Sequence, residues 1–168
     1  MRTSFMILVL AAASAAARAE TPAPADARAA FERLKSLRGD WQTPAAPDAP
    51  PVTVRYELIS GKTAVMETLF PGTEHEMRSL YSMDKGDLVL VHYCAMGNQP
   101  RMKYLPGSSP SELAFDFTGG ANMDAANDPH IHSGRIRIVD ANHIEAEWDA
   151  YAGGKKTGTK TFVLARKN

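Results

Sequence analysis

Apolar residues recur at helical spacing near the start of the chain and then change to strict alternation. The helical spacing runs through Ala27, Ala30, Phe31, Leu34 and Leu37. Asp26 stands where it can cap the first turn, and Gly39 ends the pattern. Four prolines within residues 43–51 then exclude regular structure. This stretch predicts one short amphipathic helix.

From Val52 to the C-terminus, hydrophobic and polar residues alternate with a period of two, which is typical of half-buried strands. Glycine-containing turns at 60–62, 84–87 and 152–155 separate several of these runs. The predicted strands are 52–58, 64–70, 77–83, 88–95, 101–105, 112–117, 132–140, 144–151 and 156–166. Because no second helical pattern follows, the sequence predicts an all-β fold of about nine or ten antiparallel strands, either an up-and-down barrel or a two-sheet sandwich.

The Gly-x-Trp sequence of residues 39–41, between a short helix and the first strands, resembles the opening of lipocalin-like (calycin) barrels. The resemblance implies that Trp41 closes the barrel base and that an arginine of the last strand stacks on it. Phe162, Leu164 and Arg166 share one face of that strand, so the alternation that buries the apolar pair also turns Arg166 inward. We therefore expect a lipocalin-like β-barrel with one short N-terminal helix, in which Trp41 and Arg166 are structural partners.

Two further segments, 70–77 and 92–102, resemble a widespread group of exported bacterial lipocalin-like proteins of uncharacterised function. The resemblance extends from about Leu34 to Arg166, which is most of the chain. It implies a fold and an export route, and it carries no established activity. Any function has to be inferred from the residues themselves.

The N-terminal residues have the three parts of a secretory signal peptide. Arg2 is followed by an apolar stretch from Phe5 to Ala17, and a small-x-small site ends at Ala19. We expect cleavage near Ala19, a flexible leader over 20–25 and a single domain over 26–168. The protein is predicted to be periplasmic or secreted, and no later stretch is apolar over a length that could span a membrane.

Removal of the signal peptide changes both length and charge. The 168 residues less these 19 leave 149, a normal size for one domain. Loss of Arg2 and Arg18 leaves 17 basic against 19 acidic residues, a net charge of −2, which does not favour nucleic acid as a partner. The one cysteine, Cys94, cannot form a disulfide within the chain. The oligomeric state stays open.

Strand alternation places several histidines on the faces predicted to line the barrel. His92 shares a face with Leu88 and Leu90, and His130 and His132 share one with Ile136, whereas His143 faces solvent. Arg101 follows a predicted loop, where it could meet an acidic group of a ligand. We expect a small, largely apolar ligand inside the barrel, bound without a cofactor through polar contacts from Tyr56, Tyr81, His92, Arg101, Tyr104, His130 and His132.

Other interpretations of the same residues remain open. Imidazole and thiolate are ligands of zinc and copper, and an inward histidine can hold haem iron. That alternative would use His75, His92, Cys94, His130 and His132. A small enzyme with Cys94 or a barrel histidine in the active site is a third interpretation, although no nucleophile-elbow, phosphate-loop or dinucleotide motif is present. A barrel filled by its own side chains is the fourth.

Overall fold

The computed structural model describes residues 24–47, 50–106 and 109–167, so the predicted signal peptide and residues 20–23 of the predicted leader lie outside the described residues, while residues 24 and 25 belong to a helix. The described part contains one α-helix, α1 (Pro24–Ser36), and ten strands. The strands are β1 (Gly39–Gln42), β2 (Thr53–Ile59), β3 (Ala64–Leu69), β4 (Met77–Asp84), β5 (Asp87–Tyr93), β6 (Gln99–Pro106), β7 (Glu112–Ala121), β8 (His130–Ile138), β9 (His143–Ala152) and β10 (Lys155–Arg166).

The ten strands form a closed antiparallel barrel in which each strand pairs with the next along the chain. The short strand β1, which the alternation did not predict, closes the cylinder by pairing with both β2 and β10. Trp41 in β1 lies opposite Val54 on one side and Arg166 on the other. The prediction of an up-and-down antiparallel barrel with one N-terminal helix is confirmed, and the sandwich alternative is wrong.

Helix α1 packs against the barrel end at which β1 begins. Ala30, Phe31, Leu34 and Leu37 are buried and belong to the same core as the barrel interior. The helix begins at Pro24, so Asp26 lies inside its first turn instead of capping it, where its charge still complements the helix dipole. Among the described residues, no helix is long and apolar enough to cross a membrane.

Trp41 and Arg166 join the end of α1 to the first and last strands. The indole Nε1 of Trp41 donates a hydrogen bond of 2.7 Å to the carbonyl oxygen of Leu37, and the guanidinium of Arg166 lies 4.2 Å from the centre of the indole ring. That guanidinium also donates to three backbone carbonyl oxygens, those of Ser36, Arg38 and Ala141. Because the last carbonyls of a helix have no partner within it, the contact with Ser36 satisfies a group that would otherwise be unpaired.

Two physical constraints explain the glycine of the Gly-x-Trp sequence. Gly39 has φ of +128°, a backbone conformation that residues with a side chain rarely adopt. A Cβ atom at this position would also lie 3.0 Å from Nη1 of Arg166. Both the bend from α1 into β1 and the position of the guanidinium therefore require a glycine.

Replacing Arg166 should destabilise the barrel because it removes both the contact with Trp41 and several charge-assisted hydrogen bonds. We expect Arg166→Met to lower the free energy of unfolding by about 2–3 kcal/mol. The matched control is Arg137→Met, since Arg137 makes an exposed ion pair with Glu145 that contributes at most about 1 kcal/mol. Urea unfolding of both variants measures the difference, and equal losses would contradict this account.

Candidate functional site

The barrel holds a cavity near the end opposite α1. At this end the strands are joined by the loops 70–76, 94–98, 122–129 and 153–154. The cavity has a volume of about 120 Å³. Its lining is mostly apolar and comes from six strands and the loop that follows β3: Leu69, Phe70, Met77, His92, Ile131, Trp148, Lys160 and Phe162.

Trp148 forms one wall of this cavity because a glycine lies opposite it on the neighbouring strand. Gly134 of β8 pairs with Trp148 of β9, and a Cβ atom on Gly134 would lie 2.2 Å from the indole ring. The ring therefore packs flat across β8. Its centre lies 6.3 Å from the centre of the His92 imidazole, with an angle of 25° between the two planes.

His92 is the polar group that lies deepest in the lining. Its side chain is 3% exposed, and a hydrogen bond of 3.0 Å joins its Nδ1 to the hydroxyl of Ser79. Its Nε2 is buried and has no hydrogen-bond partner among the described residues. Burial lowers the pKa of His92 to about 4, so the imidazole is neutral over the physiological range.

His92 ends a row of polar side chains that crosses four adjacent strands, which we call the polar row: Tyr56, Glu67, Ser79 and His92. Each member is the direct cross-strand partner of the next. The hydroxyl of Tyr56 donates to one carboxyl oxygen of Glu67 at 2.7 Å, and the hydroxyl of Tyr81 donates to the other at 2.9 Å. Glu67 is 1% exposed, so these contacts replace the water that a carboxylate normally binds.

The ionisation of these groups follows from their burial. Burial raises the pKa of Glu67, while hydrogen bonds from Tyr56, Tyr81 and Ser79 act in the opposite direction. Burial, followed by the charge of Glu67, raises the pKa of both tyrosines well above its ordinary value. The two phenols therefore remain protonated and act as hydrogen-bond donors to Glu67.

His130 and His132 lie apart from the cavity, in a group of four rings that we call the rim cluster: Phe117, His130, His132 and Tyr151. The register of β8 against β9 slips between Ile131 and Ser133, which leaves His132 unpaired in a bulge. The bulge reverses the alternation, so Ile131 lines the cavity. The expectation that both histidines share the inward face of Ile136 is therefore wrong.

Hydrogen bonds fix the proton positions within the rim cluster. Nδ1 of His130 lies 2.8 Å from the carbonyl oxygen of Asp128, so it carries a proton and donates it. Nε2 of His130 then accepts from Nδ1 of His132, 3.0 Å away. Burial and the neighbouring His130 lower the pKa of His132. The two rings stabilise each other and the bulge.

Three other residues predicted to contact a ligand are inside the barrel but do not line the cavity, and a fourth is outside. Tyr56 and Tyr81 direct their hydroxyls to Glu67. Tyr104 lies near α1 at the opposite end of the barrel, with its ring against Phe115. Arg101 is on the outer surface, 2.7 Å from Asp84, because Pro100 and Met102 of β6 are the buried neighbours. Arg101 therefore does not line the cavity, and its contact with a ligand stays a prediction.

The five residues predicted as alternative metal or haem ligands do not form a single cluster. His75 is an exposed loop residue beside Glu74, and Sγ of Cys94 lies 3.9 Å from Sδ of Met77. His92 is in the cavity lining, and His130 and His132 belong to the rim cluster. Across the described ranges, no group of three or more His, Cys, Asp or Glu side chains is arranged to hold a metal ion.

Sequence reasoning missed most of the cavity lining, although one signal was available. Lys160 shares its face of β10 with Phe162 and Leu164, the same alternation that turns Arg166 inward. Its ammonium lies 5.7 Å from the centre of the Phe162 ring and makes no ion pair with a described residue. The cavity mouth therefore carries a positive charge on an otherwise apolar lining.

A larger cleft, of about 410 Å³, lies on the outer surface beside β1 and β2. It is lined by charged side chains, including Arg38, Asp40, Arg55 and Lys62. Asp40 and Arg55 bind each other at 2.6 Å, which lowers the pKa of Asp40. We favour the smaller interior cavity as the candidate site because its lining is apolar and two of its residues, His92 and Trp148, each have a buried nitrogen without a partner among the described residues.

Comparison with known proteins supports the fold and gives no function. No family model matches the chain, and no curated protein matches it. Among solved structures, Rv2717c from M. tuberculosis is similar, with a TM-score of 0.55 and 15% sequence identity over 83% of this chain and 98% of that one. At this identity the similarity shows a shared barrel fold only.

The shape of the cavity depends on the close approach of Trp148 to Gly134. We expect Gly134→Ala to displace the indole ring, to lower the free energy of unfolding by about 1–3 kcal/mol and to change the tryptophan fluorescence. Gly158→Ala is the matched control, because a Cβ atom there meets nothing within 4 Å. Urea unfolding followed by fluorescence compares the two variants. Equal stability would contradict the proposed packing.

The low pKa of His92 predicts a specific pH dependence of stability. Between pH 6.5 and about 4 the unfolded chain protonates this residue and the folded chain does not, so the free energy of unfolding falls as the pH falls. The full effect is about 3 kcal/mol. Because the raised pKa of Glu67 acts oppositely, the measurement is the difference between wild type and His92→Asn in urea unfolding at several pH values. Parallel pH curves would contradict the prediction.

Proposed function

We propose that this protein binds a small, largely apolar ligand in the cavity at the open end of its barrel. The observation that carries the proposal is the apolar cavity, two of whose lining residues, His92 and Trp148, each have a buried ring nitrogen without a partner among the described residues. A buried polar atom without a partner is costly, and a ligand that supplies the missing hydrogen bond would remove that cost. Binding would therefore be both apolar and specific.

The volume of the cavity supports a ligand of modest size. An engineered cavity of about 150 Å³ in another protein accommodates benzene, and the cavity here is about 120 Å³. A single ring or a short branched chain would fill it, and a longer molecule would extend past Lys160 into solvent. The positive charge of Lys160 at the mouth would favour a polar or acidic group on the part that extends outward.

The alternatives have less support in the arrangement of the side chains. The candidate metal and haem ligands are dispersed over a loop, the cavity and the rim cluster. For an enzyme, Cys94 would need a base within hydrogen-bond reach, and its thiol contacts the sulfur of Met77. We therefore favour a binding protein without a resident cofactor.

We further propose that the protein acts after export, as a periplasmic or secreted member of the lipocalin-like group. The support is the signal-peptide pattern of residues 1–19 and the helix, Gly-x-Trp and barrel arrangement. An apolar compound outside the cytoplasm needs a carrier or receptor to remain in solution at useful concentration. A closed barrel with a lined interior cavity suits that role.

Filling the cavity should abolish binding without damage to the fold. We expect toluene, a probe of suitable size, to raise the thermal unfolding temperature of the wild type, because it binds the folded state alone. Ile131→Phe, which adds volume to the lining, should lose this shift. Val163→Phe on the outer face of β10, where Val163 is 54% exposed, should keep it. An equal shift in both variants would place the probe elsewhere, and no shift in the wild type would contradict the proposal.

A further inference from the structure

We infer that the ligand is a small apolar acid with one carboxylate, which pairs with the ammonium of Lys160 at the mouth while the hydrocarbon part fills the cavity. This inference rests on the proposed function, because it concerns the ligand of the same cavity. Three features of the molecule support it: the apolar surface of the interior, the position of Lys160, and the engagement of the nearby acids elsewhere.

The interior of the cavity is suited to hydrocarbon and not to charge. No polar atom of the described residues contributes to its surface. A charged group placed there would lose its hydration and would meet only apolar atoms, which costs more than apolar contact returns. A charged group on the ligand therefore has to lie at the mouth, where it keeps its contact with water.

Lys160 supplies the positive charge at the mouth. It shares the inward face of β10 with Phe162 and lies directly opposite Trp148 on β9, so its alkyl stem is beside two of the rings that line the cavity. Its ammonium lies 5.7 Å from the centre of the Phe162 ring, and its side chain is exposed. The stem thus belongs to the apolar wall and the ammonium to the solvent side of that wall.

The exposure of this inward-facing lysine has a cause in the strand pairing. β1 pairs with β10 only at Ala165 and Arg166. Over the rest of its length β10 has a strand partner among the described residues on one side alone, which is β9. The ring of Phe70, which follows β3, instead packs edge-on against Phe162 with ring centres 6.1 Å apart. The wall beside Lys160 is therefore made of side chains and leaves its ammonium open to solvent.

The acidic residues near this ammonium are engaged elsewhere. Glu147 and Asp149, on either side of Trp148 in β9, face the outer surface, where they pair with Arg135 and Lys156. Lys160 makes no ion pair with a described residue, and it is the one charged residue among the described residues of the lining. A positive charge beside an apolar cavity is thus available to an anion that the cavity holds in place.

The single charge indicates a carboxylate. A lysine ammonium is a compact point charge, whereas phosphate sites commonly add an arginine or a set of backbone N–H groups. The described lining contains no second cation. A carboxylate has one negative charge at neutral pH, and a volume of about 120 Å³ admits a single ring or a short branched chain. The ligand class is therefore the short aromatic or branched-chain carboxylic acids.

Phenylacetate, phenethyl alcohol and phenethylamine test the inference, because they share a benzyl group and differ in the charge of the end group. We expect calorimetry at neutral pH to show that wild type binds the acid about fivefold more tightly than the alcohol and the amine about fivefold more weakly. Lys160→Met should remove both differences and leave the affinity for the alcohol within about twofold. Lys160→Glu should reverse the order, so that the amine binds more tightly than the acid.

Lys62→Met is the matched control, because it removes the same charge from the surface cleft beside β1 and β2. It should keep the wild-type order and ratios. Wild type that does not prefer the acid, or a preference that survives Lys160→Met or is lost equally in Lys62→Met, would overturn the inference, while binding of toluene or the alcohol upheld the proposed function. If neither toluene nor any of the three compounds binds wild type, the inference and the proposed function both fail.

Discussion

The burial of one carboxylate constrains much of the barrel interior. Glu67 is 1% exposed at the middle of β3, where an unpartnered charge would cost several kcal/mol. It is stabilised because its two neighbours across the sheet are a tyrosine and a serine, and because Tyr81 reaches its second oxygen. The need to pair this carboxylate explains why the hydroxyls of Tyr56 and Tyr81 both donate hydrogen bonds to Glu67. His92, which is hydrogen-bonded to Ser79, is the one member of the polar row that lines the cavity.

The two ends of the barrel have different roles as a consequence of their packing. At one end, α1 contributes its apolar face to the core, and Trp41 and Arg166 fasten its last turn to β1 and β10. At the other end only loops join the strands, and the large rings of Phe162 and Trp148 leave space between them. The helix therefore closes one end of the barrel, and the cavity lies at the end where none of the described residues forms a covering helix.

Much of the architecture could be predicted because it depends on local alternation. The period of two located nine of the ten strands, and the parity of β10 gave the inward position of Arg166. β1 was missed because four residues are too few to show alternation. Glu67 could have been recognised as an inward charge, since Val65 and Leu69 flank it on the same face of β3. It was not, because a charged residue beside a predicted strand is more often a solvated residue at the end of that strand.

The candidate site was predicted less completely because it depends on irregularities that alternation cannot show. One extra residue in β8 moved both of its histidines out of the expected face and placed Ile131 in the cavity. The wall formed by Trp148 depends on Gly134 of another strand, a contact with no local signature. His92 is the one predicted ligand contact that lines the cavity. Its inward position could be predicted because β5 pairs with β4 without a bulge.

The location of a bound apolar probe tests the central claim most directly. We would measure intermolecular nuclear Overhauser effects between toluene and the wild-type protein in solution. The account predicts contacts with Leu69, Met77 and Ile131 and none with the surface cleft beside Arg38 and Lys62. Contacts confined to that cleft or to α1 would contradict the assignment of the cavity as the binding site.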